Sequence, residues 1–259
     1  MNPDLELALE LADAADAITL RHFGSVDLVV ESKPDMTPVT EADRAVEKMV
    51  GERLAVARPA HAVMGEEFGV GGAAGARARW IIDPIDGTKN YVRGIPVFAT
   101  LLALEVDGEL VVGVASAPAM GRRWWAARGD GAFADGDRIK VSAISALGEA
   151  QLSHSSIEGW AKAGRLAPLL ELAQAAGRTR GFGDFWQHVL VAQGSVDVAL
   201  EPEVSLWDLA ALLVIVEEAG GRFTDLRGAR TAAGGDVISS NGLLHDQALA
   251  RISPGSSHA

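Results

Sequence analysis

The chain has 259 residues, 48% of them hydrophobic, and it has a formal net charge of -12 and no cysteine. This length and apolar content can fill the core of one large domain or of two closely packed halves. The charge disfavours nucleic acids and anionic membranes as partners, and the lack of cysteine excludes disulfides, thiolate metal sites and cysteine nucleophiles.

The first half of the chain predicts two helices followed by antiparallel strands. Leu5, Leu9 and Ala12 have helical spacing, and the acidic residues of this segment are unlike a signal or transit peptide. No apolar run approaches membrane-spanning length, so we expect a cytoplasmic protein. The predicted elements are helices over residues 3–23 and 40–54, strands over 62–65 and 79–82, and a hairpin that turns at Asp107-Gly108.

The second half alternates strands and helices. Its predicted elements are strands over 151–156, 196–200 and 236–240, with helices within 158–176, over 185–193 and over 207–219. We therefore expect a mixed α/β protein with an α+β half at residues 1–145 and an α/β half at residues 146–259. The polar tail at 253–259 is predicted to be disordered.

The segment IIDPIDGTKNYVRGIP places two aspartates three positions apart at the end of an apolar strand. Pro84 fixes the backbone and Gly87 permits a sharp exit, so the carboxylates of Asp83 and Asp86 can converge. Carboxylates and a free carbonyl are the oxygen ligands that Mg²⁺ prefers, and bare backbone amides suit a phosphate. Taken alone, an Asp/Gly turn that caps a helix explains the segment better.

Three further segments place acidic residues where strands end or helices begin. Glu66 and Glu67 follow a short apolar run, Thr40 and Asp43 form a capping-box pattern, and Asp208 lies in the first turn of an apolar helix. Each segment also has a simpler explanation: a solvated acidic loop, helix capping, and a favourable charge at a helix N-terminus.

Together these segments resemble the inositol monophosphatase family of Mg²⁺-dependent, lithium-sensitive phosphatases. The matching motifs are TPVTEAD, GEE, WIIDPIDGT, WDLAA and EAGG, which span nearly the whole chain in order. The resemblance implies a layered sandwich of alternating helix and sheet layers, with α+β and α/β halves, that assembles as a homodimer. It implies two or three Mg²⁺ ions per site, for which Mn²⁺ can substitute, and these ligands: Glu66, Asp83, the backbone carbonyl of Ile85, Asp86 and Asp208.

The resemblance also implies catalytic roles. Thr88, oriented by Asp43, would position the attacking water, and an ion near Glu66 would activate that water. The amides of Gly87 and Thr88 would hold the phosphate, and no phosphoenzyme would form. An aspartyl-phosphate mechanism of the haloacid dehalogenase type is the rival, but two residues separate the aspartates of DPID, which loses the D-x-D-x-T register.

The substrate end is predicted from the block GFGDFWQH, in which Gly183 matches a motif position of the family. Asp184, Phe185 and Trp186 follow where inositol phosphatases have small or hydroxyl residues, and Glu201 matches a substrate-contacting acid. A substrate with an ammonium and an imidazole could use two carboxylates and an aromatic face. The block resembles the bacterial histidinol-phosphate phosphatase branch, so we predict L-histidinol phosphate as the substrate and these substrate-binding residues: Gly87, Thr88, Gly183, Asp184, Phe185, Glu201 and Asp208.

Alternatives stay open for the substrate end. Asp184 could instead cap a helix while Phe185 and Trp186 pack in the core or at a dimer contact. His188 receives no role, since a packed histidine is the commoner case. The alternative functions are a phosphatase for inositol phosphate, a sugar phosphate or a phosphoadenosine nucleotide, and a non-catalytic binding protein with this fold.

Overall fold

Two main β-sheets and eight α-helices make up the part of the chain that the structure describes. The structure is a computed structural model, and it describes residues 2–32 and 38–253. The first half forms α1 (Pro3–His22), β1 (Val30–Ser32), β2 (Pro38–Thr40), α2 (Glu41–Ala57), β3 (Ala62–Gly65), β4 (Gly69–Gly72), β5 (Ala78–Asp86), α3 (Thr88–Val92), β6 (Ala99–Val106), β7 (Glu109–Ala117), β8 (Arg122–Ala127), β9 (Gly131–Ala134) and β10 (Asp137–Ile139). The second half forms β11 (Gln151–His154), α4 (Ile157–Lys162), α5 (Leu166–Ala175), β12 (Arg178–Arg180), α6 (Asp184–Ala192), β13 (Val198–Glu201), α7 (Leu206–Glu218), β14 (Arg222–Thr224), β15 (Val237–Ser240) and α8 (His245–Ile252).

The larger sheet has eight strands in the order β10-β9-β8-β7-β6-β5-β3-β4. Its pairs are antiparallel except for β3 and β5, which run parallel. Side chains of β5 alternate between the two faces, as the strand period of two requires. Trp80 and Ile82 pack with α1 and α2, whereas Ile81 packs with α6 and α7 on the opposite face. Both faces of this sheet are therefore covered by helices.

The smaller sheet has five strands in the order β12-β11-β13-β15-β14. On one side, Ala199 and Val237 share a core with α6 and α7. On the other side, Leu152 and Val198 pack against residues of α4, α5 and α8. The layers are thus α1 and α2, the eight-stranded sheet, α6 and α7, the five-stranded sheet, and α4, α5 and α8. This order confirms the predicted layered sandwich of α+β and α/β parts.

Most predicted elements lie within a few residues of the observed ones. The predicted hairpin forms between β6 and β7, where Asp107 and Gly108 have φ angles of 52° and 84°. The helix predicted within 158–176 is two helices, because the chain turns at Gly164 with a φ of 70°. Residues 254–259 of the predicted tail lie outside the described residues.

The predicted border near residue 145 falls between the two sheets, which end and begin at Ile139 and Gln151. Since α6 and α7 bury side chains against both sheets, one core joins the two parts of the chain. The division into two domains therefore stays a prediction. Within residues 2–32 and 38–253, none of the helices combines the length and apolar character needed to cross a bilayer.

Candidate active site

The convergence of Asp83 and Asp86 depends on a bulge at the end of β5. Asp83 pairs with Leu101 of β6 and Asp86 pairs with Ala99, so three steps along β5 oppose two steps along β6. In a regular strand, residues three apart point to opposite faces; the extra residue reverses that parity. The bulge contains Pro84, whose missing N–H suits an interrupted ladder. The DPID spacing therefore brings both carboxylates to one side.

The chain then leaves the sheet through a tight turn into α3. Gly87 has a φ of 81°, in the left-handed region, and a Cβ there would lie 3.0 Å from the carbonyl oxygen of Val97. The Thr88 hydroxyl donates to the carbonyl oxygen of Ile85 at 2.8 Å. The predicted residues Ile85, Gly87 and Thr88 all line one cavity with the two aspartates. The turn thus places a hydroxyl and a carbonyl beside the carboxylates.

Asp208 reaches the same place from the start of α7. Its Oδ2 accepts a hydrogen bond from the amide of Ser205 at 2.7 Å in a capping box, so it has a capping role as well. One carboxylate oxygen from each of Asp83, Asp86 and Asp208 lies within 4.8 Å of the others. Two segments that lie far apart in the sequence, the end of β5 and the start of α7, therefore meet at one cluster.

The cluster has the electrostatics of a cation site. Burial raises the pKa of Asp83 well above its usual range, and the charge of Glu66 adds to the rise. Burial and the charge of Asp184 do the same to the pKa of Asp86, and burial raises the pKa of Asp208 to about 7. Adjacent buried carboxylates are costly when ionised unless a cation holds them. The donor set of hard oxygens therefore fits a divalent cation such as Mg²⁺.

A buried glutamate of α2 holds the turn that presents Glu66. Glu47 is 4% exposed, and its carboxylate accepts hydrogen bonds from the amides of Glu67 and Phe68, both at 2.8 Å. A Cβ at Gly65 would lie 1.9 Å from Glu47 Oε1, so this close approach requires glycine. Glu66 lines the cavity beside the aspartates. The Gly-Glu-Glu motif is thus shaped by a residue that the sequence prediction did not identify.

Replacing Glu47 with glutamine should weaken Mg²⁺ binding without unfolding the protein. The amide group of glutamine keeps the shape but can accept only at one atom, so one of the two backbone N–H groups loses its acceptor. Residues that orient metal ligands typically change metal affinity by about 10- to 100-fold, and we expect about tenfold here. Titration calorimetry with Mg²⁺ measures the change.

Glu52→Gln is the matched control, because Glu52 lies on the same helix with a side chain 69% exposed. It should leave Mg²⁺ affinity unchanged. Equal Mg²⁺ affinities for Glu47→Gln and the wild-type protein would show that the turn keeps its shape without Glu47.

Asp43 and Thr40 form the predicted capping pair at the start of α2. The amide and the hydroxyl of Thr40 donate to Asp43 Oδ2 at 2.8 and 2.6 Å, and burial raises the pKa of Asp43 to about 6. The predicted role of Asp43 in orienting Thr88 stays a prediction: among the described residues, the Thr88 hydroxyl donates to the carbonyl of Ile85. Capping of α2 occupies Asp43 Oδ2, and Asp43 Oδ1 is buried without a hydrogen-bond partner in the described chain.

A cavity of about 300 Å³ opens beside the aspartate cluster. The described acidic residues that line it are Glu66, Asp83, Asp86, Asp184, Glu201, Glu203 and Asp208. Lys89 is the basic residue among the described lining residues, and Trp207 is an aromatic one. Neither Lys89 nor Trp207 received a role from the sequence. The predicted substrate acids Asp184 and Glu201 thus share the cavity with the cluster.

Asp184 occupies a special backbone position at the start of α6. Its φ is 49°, and it follows Gly183, whose φ is 69°. Asn90 donates to Asp184 Oδ2 at 3.0 Å and to the carbonyl oxygen of Val97 at 2.9 Å. Burial and the charge of Glu201 raise the pKa of Asp184 to about 7. The side chain is therefore held by a neighbour while its charge remains poorly compensated.

Phe185 binds the aspartate cluster through its backbone, and its ring is buried. The Phe185 amide donates to Asp86 Oδ2 at 2.6 Å, which links α6 to the aspartate cluster. The ring is 1% exposed and lies 6.1 Å from the ring of Trp124, within the central core. Core packing of this ring is the alternative that the sequence left open; Phe185 is also among the residues that line the cavity, and contact of its ring with a substrate stays a prediction. Gly183 lies outside the described cavity lining and supplies the turn before α6.

Comparisons with known proteins agree with this geometry. The model of the inositol monophosphatase family matches residues 1–256. The chain is 53% identical to the histidinol-phosphatase of Mycobacterium tuberculosis over 97% of this chain and 98% of that protein. It is 54% identical to the histidinol-phosphatase of Streptomyces coelicolor over 95% of each chain. The crystal structure of the extragenic suppressor protein suhB from Bartonella henselae superposes with a TM-score of 0.91 at 30% identity, over 98% of this chain and 100% of that one. The chain therefore belongs to the inositol monophosphatase family.

Proposed function

We propose that this protein is a Mg²⁺-dependent phosphatase that converts L-histidinol phosphate and water to L-histidinol and phosphate. The observation on which the choice of substrate rests is the pair Asp184 and Glu201. Both acids line the cavity next to the aspartate cluster, but neither belongs to that cluster. A cavity with acids beyond its cation site suits a substrate that has a cationic group at the end opposite its phosphate.

The names of similar proteins support the same substrate. The two bacterial relatives at 53% and 54% identity are both histidinol-phosphatases. A further histidinol-phosphatase, from Chlorobaculum parvum, is 41% identical over 98% of this chain. Relatives whose names contain inositol-1-monophosphatase are less similar: that of Rhizobium meliloti is 37% identical and that of Thermotoga maritima is 35% identical. The gradient of identity favours histidinol phosphate over inositol phosphate.

The cation would be held by the five predicted ligands. These are the side chains of Glu66, Asp83, Asp86 and Asp208 and the backbone carbonyl of Ile85, all of which line the cavity. When bound, Mg²⁺ supplies positive charge that neutralises a phosphate dianion and lowers the pKa of a water molecule. Without such charge, a dianion facing these acids would be strongly repelled.

The protein's own groups position the reactants in the proposed reaction. Because the Thr88 hydroxyl gives its proton to the Ile85 carbonyl, its oxygen remains free to accept a hydrogen bond from water. This contact would aim the water at phosphorus, and the amides of Gly87 and Thr88 would hold phosphate oxygens. Attack by water would form a new P–O bond as the ester P–O bond breaks, and a proton from the water would pass to the leaving oxygen, so that the alcohol is released without a phosphoenzyme. Asp43 is proposed to orient Thr88 when the hydroxyl donates to Asp43 Oδ1 instead of to Ile85, and the Thr88 oxygen can accept from water in either case.

The cationic end of the substrate would lie towards α6 and β13. The ammonium would pair with Asp184 and Glu201. Burial and the charge of Glu201 raise the pKa of Asp184, so a cation between the two acids would stabilise their ionised forms. Trp207, rather than Phe185, is the aromatic side chain proposed to lie beside the imidazole, because it is half-buried at the cavity wall. The proposed enzyme is a homodimer in the cytoplasm. Mn²⁺ would be able to replace Mg²⁺ in it, and Li⁺ would inhibit its activity.

A comparison of two substrates tests the proposed function. With saturating Mg²⁺, kcat/KM is measured for histidinol phosphate and for inositol 1-phosphate, which has no cationic group. We expect histidinol phosphate to be preferred by at least about tenfold, the factor that corresponds to about 1.4 kcal/mol. Equal or better turnover of inositol phosphate would contradict the choice of substrate while leaving the phosphatase chemistry intact. Failure to hydrolyse either ester would favour a binding protein instead.

A further inference from the structure

His188 is a buried histidine that lies one helical turn after Asp184 and belongs to neither the aspartate cluster nor the cavity lining among the described residues. Its side chain is fully buried. Its Nδ1 lies 2.8 Å from the Oγ of Ser239, and its Nε2 lies 3.1 Å from Oε1 of Glu201. The imidazole therefore bridges a hydroxyl inside the smaller sheet and one of the two acids proposed to bind the substrate.

The direction of these two hydrogen bonds follows from the chemistry of the partners. An ionised carboxylate can only accept, so Nε2 of His188 must donate to Glu201. A neutral imidazole then has its lone pair on Nδ1, and the Ser239 hydroxyl must donate to it. The hydrogen bonds therefore form a series in which Ser239 donates to His188 and His188 donates to Glu201. Each group in this series has the one partner that its protons and lone pairs require.

Ser239, at the start of this series of hydrogen bonds, lies at a rigid position. Ser239 is fully buried on β15, which pairs with β13 on one side and β14 on the other. Glu201 is the last residue of β13 and is 8% exposed at the cavity wall. Buried side chains on neighbouring strands of a sheet have little freedom to move. A hydrogen bond from His188 therefore fixes one oxygen of Glu201 relative to the sheet.

We propose that His188 is a positioning residue that holds the Glu201 carboxylate in place for the cationic end of the substrate, an inference that rests on the proposed function. Asp184 and His188 are four residues apart on α6, so they lie on the same face of the helix. Asp184 at its start provides one negative charge, and His188 orients the other. A freely rotating glutamate would lose side-chain entropy on binding the ammonium, whereas a held one does not.

The protein offers a matched control for this inference. His245 is also fully buried in the second half, and it likewise bridges two side chains, in this case the hydroxyls of Thr224 and Ser240, both at 2.9 Å. His245 does not line the described cavity. His188→Phe and His245→Phe each remove two hydrogen bonds and keep a ring. A purely structural role for His188 predicts that the two variants behave alike.

The experiment measures kcat/KM for histidinol phosphate and inositol 1-phosphate in the wild type, His188→Phe, His245→Phe, Glu201→Gln and the double variant His188→Phe/Glu201→Gln. For His188→Phe we expect about a tenfold loss on histidinol phosphate, mainly in KM, with little change on inositol phosphate. His245→Phe should lower the melting temperature and leave the ratio of the two substrates unchanged. The double variant should be no worse than Glu201→Gln, since residues acting through one another are not additive. His188→Gln, which retains a donor, should recover part of the loss.

Each result has a definite meaning. A wild-type enzyme without preference for histidinol phosphate refutes the proposed function and this inference together. A wild-type preference that survives His188→Phe, or losses in the double variant that simply multiply, refutes the inference alone. If His188→Phe does not fold, His188→Gln and the Ser239→Ala variant, which removes the anchor hydroxyl, decide the question by the same substrate ratio.

Discussion

Replacing Asp86 with asparagine should lower turnover by at least about a hundredfold, because even residues that only orient metal ligands cost 10- to 100-fold. The asparagine Oδ1 can still accept from the Phe185 amide, so the link between α6 and the cluster is kept. What disappears is one negative charge among three converging carboxylates. Steady-state kinetics with Mg²⁺ measure the loss. Asp137→Asn, at an exposed position of β10, is the control and should be fully active.

The same substitution should stabilise the metal-free protein. Burial raises the pKa of Asp86 and Asp83 well above their usual range, which means that ionisation of this cluster opposes folding. Removing one carboxylate should therefore raise the melting temperature in EDTA, by about 2–4 °C for each kcal/mol in a protein of this size. A variant that is inactive and also less stable in EDTA would indicate misfolding rather than the loss of a ligand.

The pH dependence of the metal-free protein follows from the same charges. The pKa of Asp208 and that of Asp184 are raised to about 7, well above about 3.9 in an unfolded chain. Because the folded state holds these protons more tightly than the unfolded chain does, their contribution to stability is complete below about pH 3.9 and is lost progressively as the pH rises to about 7. In EDTA, the wild-type protein should melt at a lower temperature at pH 8 than at pH 6. This difference in melting temperature should be smaller for the Asp86→Asn variant. It should also be smaller for the wild-type protein in saturating Mg²⁺.

Sequence patterns were sufficient to predict the fold where the signal was local. The apolar spacing of α1, the capping pair Thr40 and Asp43 and the hairpin at Asp107-Gly108 each depend on residues close in the chain. The short strands β8 and β9 were missed, since β8 begins with two arginines and β9 has only four residues. Both are ordered by pairing, β8 with β7 and β9 with β8. Tertiary pairing therefore determined what local propensity left undecided.

The proposed metal ligands could be predicted from the sequence, but most of the features that hold the site residues in place could not. The Asp83 and Asp86 pair suggested a cation site, yet the bulge that turns both to one side has no local sequence signal apart from Pro84. Glu47 lies four residues after Asp43 on the same helix face, a spacing that could have identified it. His188 could not have been linked to Glu201, because that contact depends on how α6 packs against β13.

Replacing Asp184 with asparagine should lower kcat/KM for histidinol phosphate by about 30-fold or more, since losing one partner of a buried charge pair costs 2 kcal/mol or more. Asparagine suits this position because it tolerates the φ of 49°, which alanine would not adopt without strain. Its Oδ1 can also still accept from Asn90, so the local structure is retained. Hydrolysis of inositol 1-phosphate should change by less than about threefold, because that substrate has no cation to lose its partner. Kinetics on the two esters measure the contrast.

Glu203→Gln provides the control, because Glu203 also lines the cavity but its side chain is 70% exposed. A charge in water contributes little, so this variant should keep the substrate preference. Equal losses of Asp184→Asn on both esters could instead arise through α6, whose Phe185 amide holds Asp86. A disturbance of that kind would shift the Mg²⁺ concentration needed to raise the melting temperature. An unchanged Mg²⁺ dependence together with equal losses would therefore contradict the proposed pairing of Asp184 with the substrate's ammonium.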